Sequence, residues 1–170
     1  MIKQTFFALL VTAAVTGCDA LQDSKAQLEQ DYLSQHQQLQ QAITQIREQG
    51  IASVKASAET GSVAACVATQ LDADPMGALA TVEGALQDNA NLGDILAAVE
   101  NLSTQEISLE QLPELIQQGA DTVRYLKTLL SEYDLSELKQ QAADLLATGE
   151  AKSEDVGAHL RTLIESCQTK

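Results

Sequence analysis

DSKAQLEQDYLSQHQQLQQAITQIREQ, residues 23–49, places Leu28, Tyr32, Gln35, Leu39, Ala42 and Ile46 at alternating intervals of four and three. Side chains at that spacing share one face of a helix of 3.6 residues per turn, so the stretch predicts one long amphipathic α-helix. Gly50 supplies a stop, because glycine tolerates the left-handed backbone that ends helices. The glutamines between the apolar positions favour helix and carry no charge. Gln35 interrupts a short seam, so an exposed helix with one buried stripe fits better than a coiled coil.

The same pattern continues downstream. Ser53 to Gln70 is Ala-rich and predicts helix, broken near Gly61. Asp74-Pro75 predicts a short helix to about Gln87, with aspartate as N-cap and proline in the first helical place. Asn91 or Gly93 opens another, ending near Leu102, with Leu92, Ile95, Leu96 and Val99 on one face. Ser108-Leu109-Glu110-Gln111 forms a capping box before a helix that carries Leu115, Ile116, Val123, Leu126, Leu129 and Leu130 to about Ser131; Pro113 sits in or near its tolerant first turn. Asp134-Leu135-Ser136-Glu137 is a second capping box, opening a helix with Leu138, Ala142, Leu145 and Leu146 facing inward and Gly149 as its stop. Ser153 with Val156 starts a last helix, which buries Leu160, Leu163 and Ile164 and contains Cys167. No run sustains the period of two that a strand requires. The expected fold is all-α, an irregular bundle of about six amphipathic helices.

Residues 72–83 and 89–100 resemble each other at a spacing of 17: Leu79-Ala80-Thr81-Val82-Glu83 matches Leu96-Ala97-Ala98-Val99-Glu100. Two copies fall short of the roughly three that a solenoid needs. Two capped helices written in the same Ala/Leu alphabet account for the likeness.

The N-terminus has a different grammar. Lys3 precedes about ten apolar residues from Phe6 to Val15, and Thr16-Gly17-Cys18 follows. That is the charged, apolar and small-residue order of a secretory signal, and the run is too short to span a bilayer. Val15-Thr16-Gly17-Cys18 resembles the lipobox of bacterial lipoproteins, in which Leu or Val stands first and Gly or Ala precedes the cysteine. The resemblance names a processing class rather than a fold. It implies that residues 1–17 are a cleaved signal peptide and that Cys18 becomes the first mature residue, bearing a diacylglyceryl group and an acylated amine. Several acyl chains at about 0.8 kcal/mol per buried methylene anchor stably. Asp19 resembles the inner-membrane retention signal of enteric-type lipoproteins, which puts the periplasmic side of the inner membrane ahead of the outer membrane. Residues 18–22 read as a short lipidated tether, at most about 14 Å if extended, and 23–170 as a single helical domain.

The precursor carries a formal charge of −14. Losing Lys3 takes the ten lysines and arginines to nine against 24 acids, a mature charge of −15. Such a surface repels phosphate backbones, so no nucleic-acid partner is expected. Both phenylalanines belong to the signal and there is no tryptophan. The mature aromatics are Tyr32, Tyr125 and Tyr133, so the core must be aliphatic. Aromatic-walled sugar or base sites are correspondingly disfavoured.

Beyond Cys18, Cys66 and Cys167 form an even pair in the oxidising compartment that the lipobox implies, and a disulfide between them is expected. The alternative is two reduced, buried thiols. A redox role has less support, since no Cys-x-x-Cys occurs.

Reactive constellations are missing. His36 and His159 have no His or Cys neighbour at metal spacing, and phosphate-loop, dinucleotide and nucleophile-elbow motifs are absent, so no catalytic residues, metal or cofactor are expected. Asp72-x-Asp74-x-Met76-Gly77, with Glu83 in the twelfth place, approaches a calcium loop, but Met76 and Ala80 occupy ligand positions and Pro75 favours a helix start. The acids elsewhere are dispersed, as on a solvated helix surface. Together these features point to a lipid-anchored periplasmic interaction or adaptor protein without catalytic activity. It would be held to the membrane through Cys18 and would have a protein partner. An immunity or inhibitor protein against a periplasmic toxin or enzyme, and a carrier of an apolar ligand, are the alternatives.

Overall fold

The computed structural model describes residues 17–104, 120–148 and 154–168. Among the described residues the chain is all-α, with eight α-helices and two short 3-10 turns. The helices are α1 (Gly17–Ser34), α2 (Gln37–Gln49), α3 (Ile51–Ser57), α4 (Val63–Ala73), α5 (Leu92–Thr104), α6 (Ala120–Glu132), α7 (Leu135–Thr148) and α8 (Val156–Glu165). The 3-10 turns are Gly77–Thr81 and Ala85–Gln87. Val15, Thr16, the cap at Ser108, Pro113, Leu115, Ile116, Gly149 and Ser153 lie outside the described residues.

The helix predicted over 23–49 is two helices. At Gln35 and His36 the backbone N–H groups donate three residues back, to the Tyr32 and Leu33 carbonyls, and His36 leaves the helical region at φ −130°, ψ 67°. The break changes which face is buried. In α2 the expected Leu39, Ala42 and Ile46 are buried, joined by Ile43. In α1 the expected Leu28 is 57% exposed, and Glu29 and Leu33 are buried instead. One straight helix cannot present both stripes to one core, so the kink at Gln35 serves both. Residues 18–22, read as an extended tether, fall inside α1.

Gly50 (φ 84°) and Gly61 (φ 85°) separate α2, α3 and α4 as the sequence indicates, and the Ser62 hydroxyl caps α4 by accepting from the Ala65 N–H at 3.2 Å. Residues 74–87 depart from expectation. Asp74 does cap a turn, its Oδ1 accepting from the Met76 N–H at 2.8 Å. The chain then makes two 3-10 turns rather than an α-helix, with Gly84 at φ 84° between them. Met76 to Ala80 and Gly84 to Leu86 are buried in consecutive runs, with Glu83 exposed between them, rather than at the three-and-four spacing of an amphipathic helix. Gly77 abuts α4 so closely that a Cβ would sit 1.9 Å from the Leu71 carbonyl oxygen. The segments alike at a spacing of 17 are therefore 3-10 in one case and α-helical in the other.

α4 is central. It packs on α2, α3, α8 and the first 3-10 turn, while α5 packs on α6 and α7 and α1 lies over the second 3-10 turn. The core is Leu, Ile, Val and Ala, with Met76 and Tyr125 added. Segment 88–92 runs antiparallel to 154–157, clipped by Leu92 N–H to Glu154 O (3.0 Å), Val156 N–H to Ala90 O (2.9 Å) and Gly157 N–H to Asp88 O (2.9 Å). Asp155, rather than Ser153, caps α8 through Ala158 N–H at 2.6 Å. Asp134 caps α7 as expected, accepting from the Ser136 N–H at 2.9 Å, and its bonds with Ser136 hold its carboxyl below the usual aspartate value. Cys66 and Cys167 form a disulfide with Cα atoms 5.7 Å apart, tying α4 to the end of α8 across 101 residues.

Candidate functional site

The apolar stripe of α2 faces the core, so the residues between it face outward. Gln38, Gln41, Gln45 and Gln49 follow one another at three, four and four residues and line one side of an open groove of about 1100 Å³. The facing wall is made by α3, the 58–62 turn and α4, with Gln70 on that wall and Gln168 beside the disulfide. Both disulfide cysteines line the groove. None of these six glutamine amides hydrogen-bonds a protein group among the described residues. Three of the lining hydroxyls are committed: Ser57 donates to Ser53 O, Ser62 caps α4 and Thr69 donates to Ala65 O. The charged lining is Lys55 and Glu59, and Lys55 pairs with Asp72. The groove is therefore close to neutral on a chain of charge −14.

A second, smaller cavity of about 250 Å³ lies between α5 and α7, where Leu96, Val99, Ala142 and Ala143 form an apolar slot completed by Glu100 and Lys139.

The remaining polar clusters hold elements together. The Glu29 side chain is 2% exposed; its carboxylate meets Arg47 Nη1 at 2.7 Å and accepts from the Leu86 N–H at 2.9 Å. Arg47 also donates to the Ala80 and Val82 carbonyls, at 3.2 and 3.1 Å. One buried ion pair thus fixes α1, α2 and both 3-10 turns. Asp88 plays a similar part. Its carboxylate accepts from Lys25 Nζ (3.0 Å), the Tyr125 hydroxyl (2.5 Å) and the Ala90 N–H (2.8 Å). Lys25 reaches Asp121 as well, at 2.6 Å. Partial burial opposes the Lys25 charge, but its bonds to Asp121 and Asp88 outweigh that and raise its pKa. Burial, then the bond to Asp88, raises that of Tyr125.

His159 lies between two carboxylates, with Nε2 3.0 Å from Asp74 and Nδ1 3.5 Å from Glu154. Burial opposes its charge, yet the two acids more than compensate and its pKa is raised. No hydroxyl or thiol is hydrogen-bonded to it among the described residues. His36, at the α1–α2 break, packs against the Tyr32 ring at 5.0 Å between centroids. Asp72 and Asp74, the first two positions of the calcium-loop likeness, are occupied by Lys55 and His159. Among the described residues no group of three or more His, Cys, Asp or Glu side chains is placed to hold a metal. Likewise no described helix is long and apolar enough to cross a membrane.

Of the residues singled out in the sequence, the structure joins Cys66 to Cys167 and leaves Cys18 and Asp19 in the first turns of α1, outside the groove lining. Glu29, Arg47, Lys25 and Asp88 carry no sequence motif. The signal that would have found Glu29 is the alternative stripe Lys25, Glu29, Leu33, His36, which is one residue out of phase with the leucine seam. The glutamine face was visible as composition but not as a wall. No protein-family model, no curated protein and no solved structure matches this chain.

Proposed function

We propose that this chain is a lipid-anchored, non-catalytic helical adaptor on the periplasmic side of a bacterial membrane, whose glutamine-lined groove receives a protein partner. In this reading residues 1–17 are removed, Cys18 carries acyl chains, Asp19 retains the protein at the inner membrane, and residues 23–170 form one irregular bundle. The observation that carries the reading is the contrast in polar satisfaction. The buried charged groups consume one another, whereas the six groove amides, five of them on exposed residues, bond no protein group among the described residues and stand open to a partner. The lipobox-like Val15-Thr16-Gly17-Cys18 supports the anchor. The apolar slot between α5 and α7 favours a carrier of an apolar ligand less, since its 250 Å³ lies below the roughly 300–1,000 Å³ of small-molecule sites.

A photo-crosslinking residue placed at Gln41 or Gln45 in cells should capture a defined protein that the same residue at exposed Glu132 does not. Cys18→Ser should abolish acyl labelling and release the protein from the membrane fraction. Capture from neither groove position, or equal capture from Glu132, would overturn the adaptor reading.

A further inference from the structure

We infer that His159 is a pH-operated latch: its protonated ring pins segment 154–157 to the turn after α4, and loss of the proton lets that segment go. The geometry demands the charged form. Nε2 lies 3.1 and 3.0 Å from the two carboxylate oxygens of Asp74, and Nδ1 lies 3.5 Å from Glu154 Oε2. An ionised carboxylate only accepts, so both ring nitrogens must donate, which the imidazolium alone can do. The neutral ring turns a lone pair toward a carboxylate whichever tautomer it takes. Burial opposes the charge, but the bonds and charges of Asp74 and Glu154 outweigh it and raise the pKa. The latch is therefore closed below the folded value and opens as pH rises through it.

The other titratable groups around α8 are committed elsewhere. Asp72 pairs with Lys55, Asp155 caps α8, and Cys66 and Cys167 are bonded to each other. On α8 itself, Arg161 donates to the Leu86 carbonyl and Glu165 accepts from the Tyr32 hydroxyl. The two 3-10 turns that pack on α8 carry no titratable side chain. Tyr133, just past α6, feels Asp72 and Asp74, but burial and those charges raise its pKa, so it stays neutral while His159 titrates.

The partners decide which contact is lost. Asp74 has its side chain 13% exposed, meets Nε2 through both oxygens and is fixed by the Met76 N–H. Glu154 is 29% exposed and stands at 3.5 Å. The neutral ring keeps its proton on Nε2, toward Asp74, and leaves a bare Nδ1 facing Glu154, which turns to water. Glu154 is also held by its main chain: its carbonyl accepts from the Leu92 N–H, beside the Val156–Ala90 and Gly157–Asp88 bonds. Freeing the side chain loosens these three bonds together. Across the clip stands Asp88, whose carboxylate takes Lys25 of α1 and the Tyr125 hydroxyl. A change of pH at His159 is in this way passed toward α1. The disulfide keeps the far end of α8 in place, so the opening is confined to the first turn of α8 and the clip.

The test is hydrogen exchange at single amides, read by NMR on the full chain in detergent micelles over a pH series that spans the His159 titration. The ring signals give the midpoint and the tautomer in the same sample. After correction for intrinsic exchange, protection at Leu92, Val156 and Gly157 should fall at least about tenfold across that midpoint. Protection at Gly50, which opens locally at the end of α2, should not follow it. His159→Gln keeps one donor for Asp74 but cannot titrate, and should make the three amides indifferent to pH. Glu154→Gln, at a partly exposed side chain, should lower the ring's midpoint. Protection that stays flat through the titration, a fall that survives His159→Gln, or a proton on Nδ1 above the midpoint would overturn the inference. The readout involves neither the groove nor a partner, so its failure would leave the adaptor reading standing.

Discussion

Arg47→Met removes the cation that α1, α2 and the 3-10 turns share. Three interactions disappear: the 2.7 Å pair with Glu29 and the bonds to the Ala80 and Val82 carbonyls. Glu29, with its side chain 2% exposed, keeps only the Leu86 N–H as a described partner. Breaking one side of a buried pair costs about 3–5 kcal/mol, because the surviving charge is left without its counter-ion. That is a large share of the roughly 5–15 kcal/mol that holds a domain of this size. The informative partner variant is Glu29→Gln/Arg47→Met, which removes both charges yet keeps an acceptor for Leu86. It should be more stable than Arg47→Met alone, losing about 1–3 kcal/mol for the unpaired carbonyls. Urea unfolding in detergent with the disulfide intact, followed by far-UV circular dichroism, gives both numbers at comparable slopes. If the single and double variants lose the same stability, or if Arg47→Met costs under about 1 kcal/mol, the buried pair does not organise this corner.

Three further outcomes are expected. His159 has a raised folded pKa, so its contribution is fully present below the unfolded value of about 6.5 and is lost as pH rises through the folded value. The urea midpoint should therefore fall across that window, and His159→Asn should flatten this fall. Removing the Cys66–Cys167 bridge as a double alanine variant should lower stability by up to about 4.7 kcal/mol in the chain-entropy model for a loop near 100 residues, seen as a lower urea midpoint. Gly77→Ala should cost more than about 3 kcal/mol, since its Cβ would enter the Leu71 carbonyl, whereas Gly50→Ala meets open space and suffers backbone strain of about 1–3 kcal/mol; thermal unfolding ranks the two.

Local grammar was legible wherever a short-range signal acted alone. Gly50, Gly61, Asp134 and the Leu92, Ile95, Leu96, Val99 face did in the fold what their positions indicated. The signals failed where a distant partner decided the outcome. Leu28 fits a helical seam, but Arg47 and the Leu86 N–H draw Glu29 inward, and the helix turns accordingly. Asp74-Pro75 starts a helix in sequence terms, yet Gly77 must pass beside α4 and the buried residues after it run consecutively rather than along one helical face. The groove was the least legible feature. Its glutamines read as solubilising residues until α3 and α4 folded back to make the opposite wall. The disulfide needed no geometry, only an even pair and the oxidising setting that the lipobox likeness implies.

α1 runs without interruption from Gly17 to Ser34, and its bonds from Lys25, Glu29 and Tyr32 grip Asp88, Asp121, Leu86 and Glu165. If Cys18 carries acyl chains as proposed, the attachment point belongs to the folded body rather than to a slack leash. A leashed protein tumbles and shows every surface to its surroundings in turn. One mounted on a clamped helix diffuses sideways while its tilt and height stay nearly constant. Its meeting with a neighbour in the same membrane becomes a search in two dimensions, with the groove carried at a set elevation.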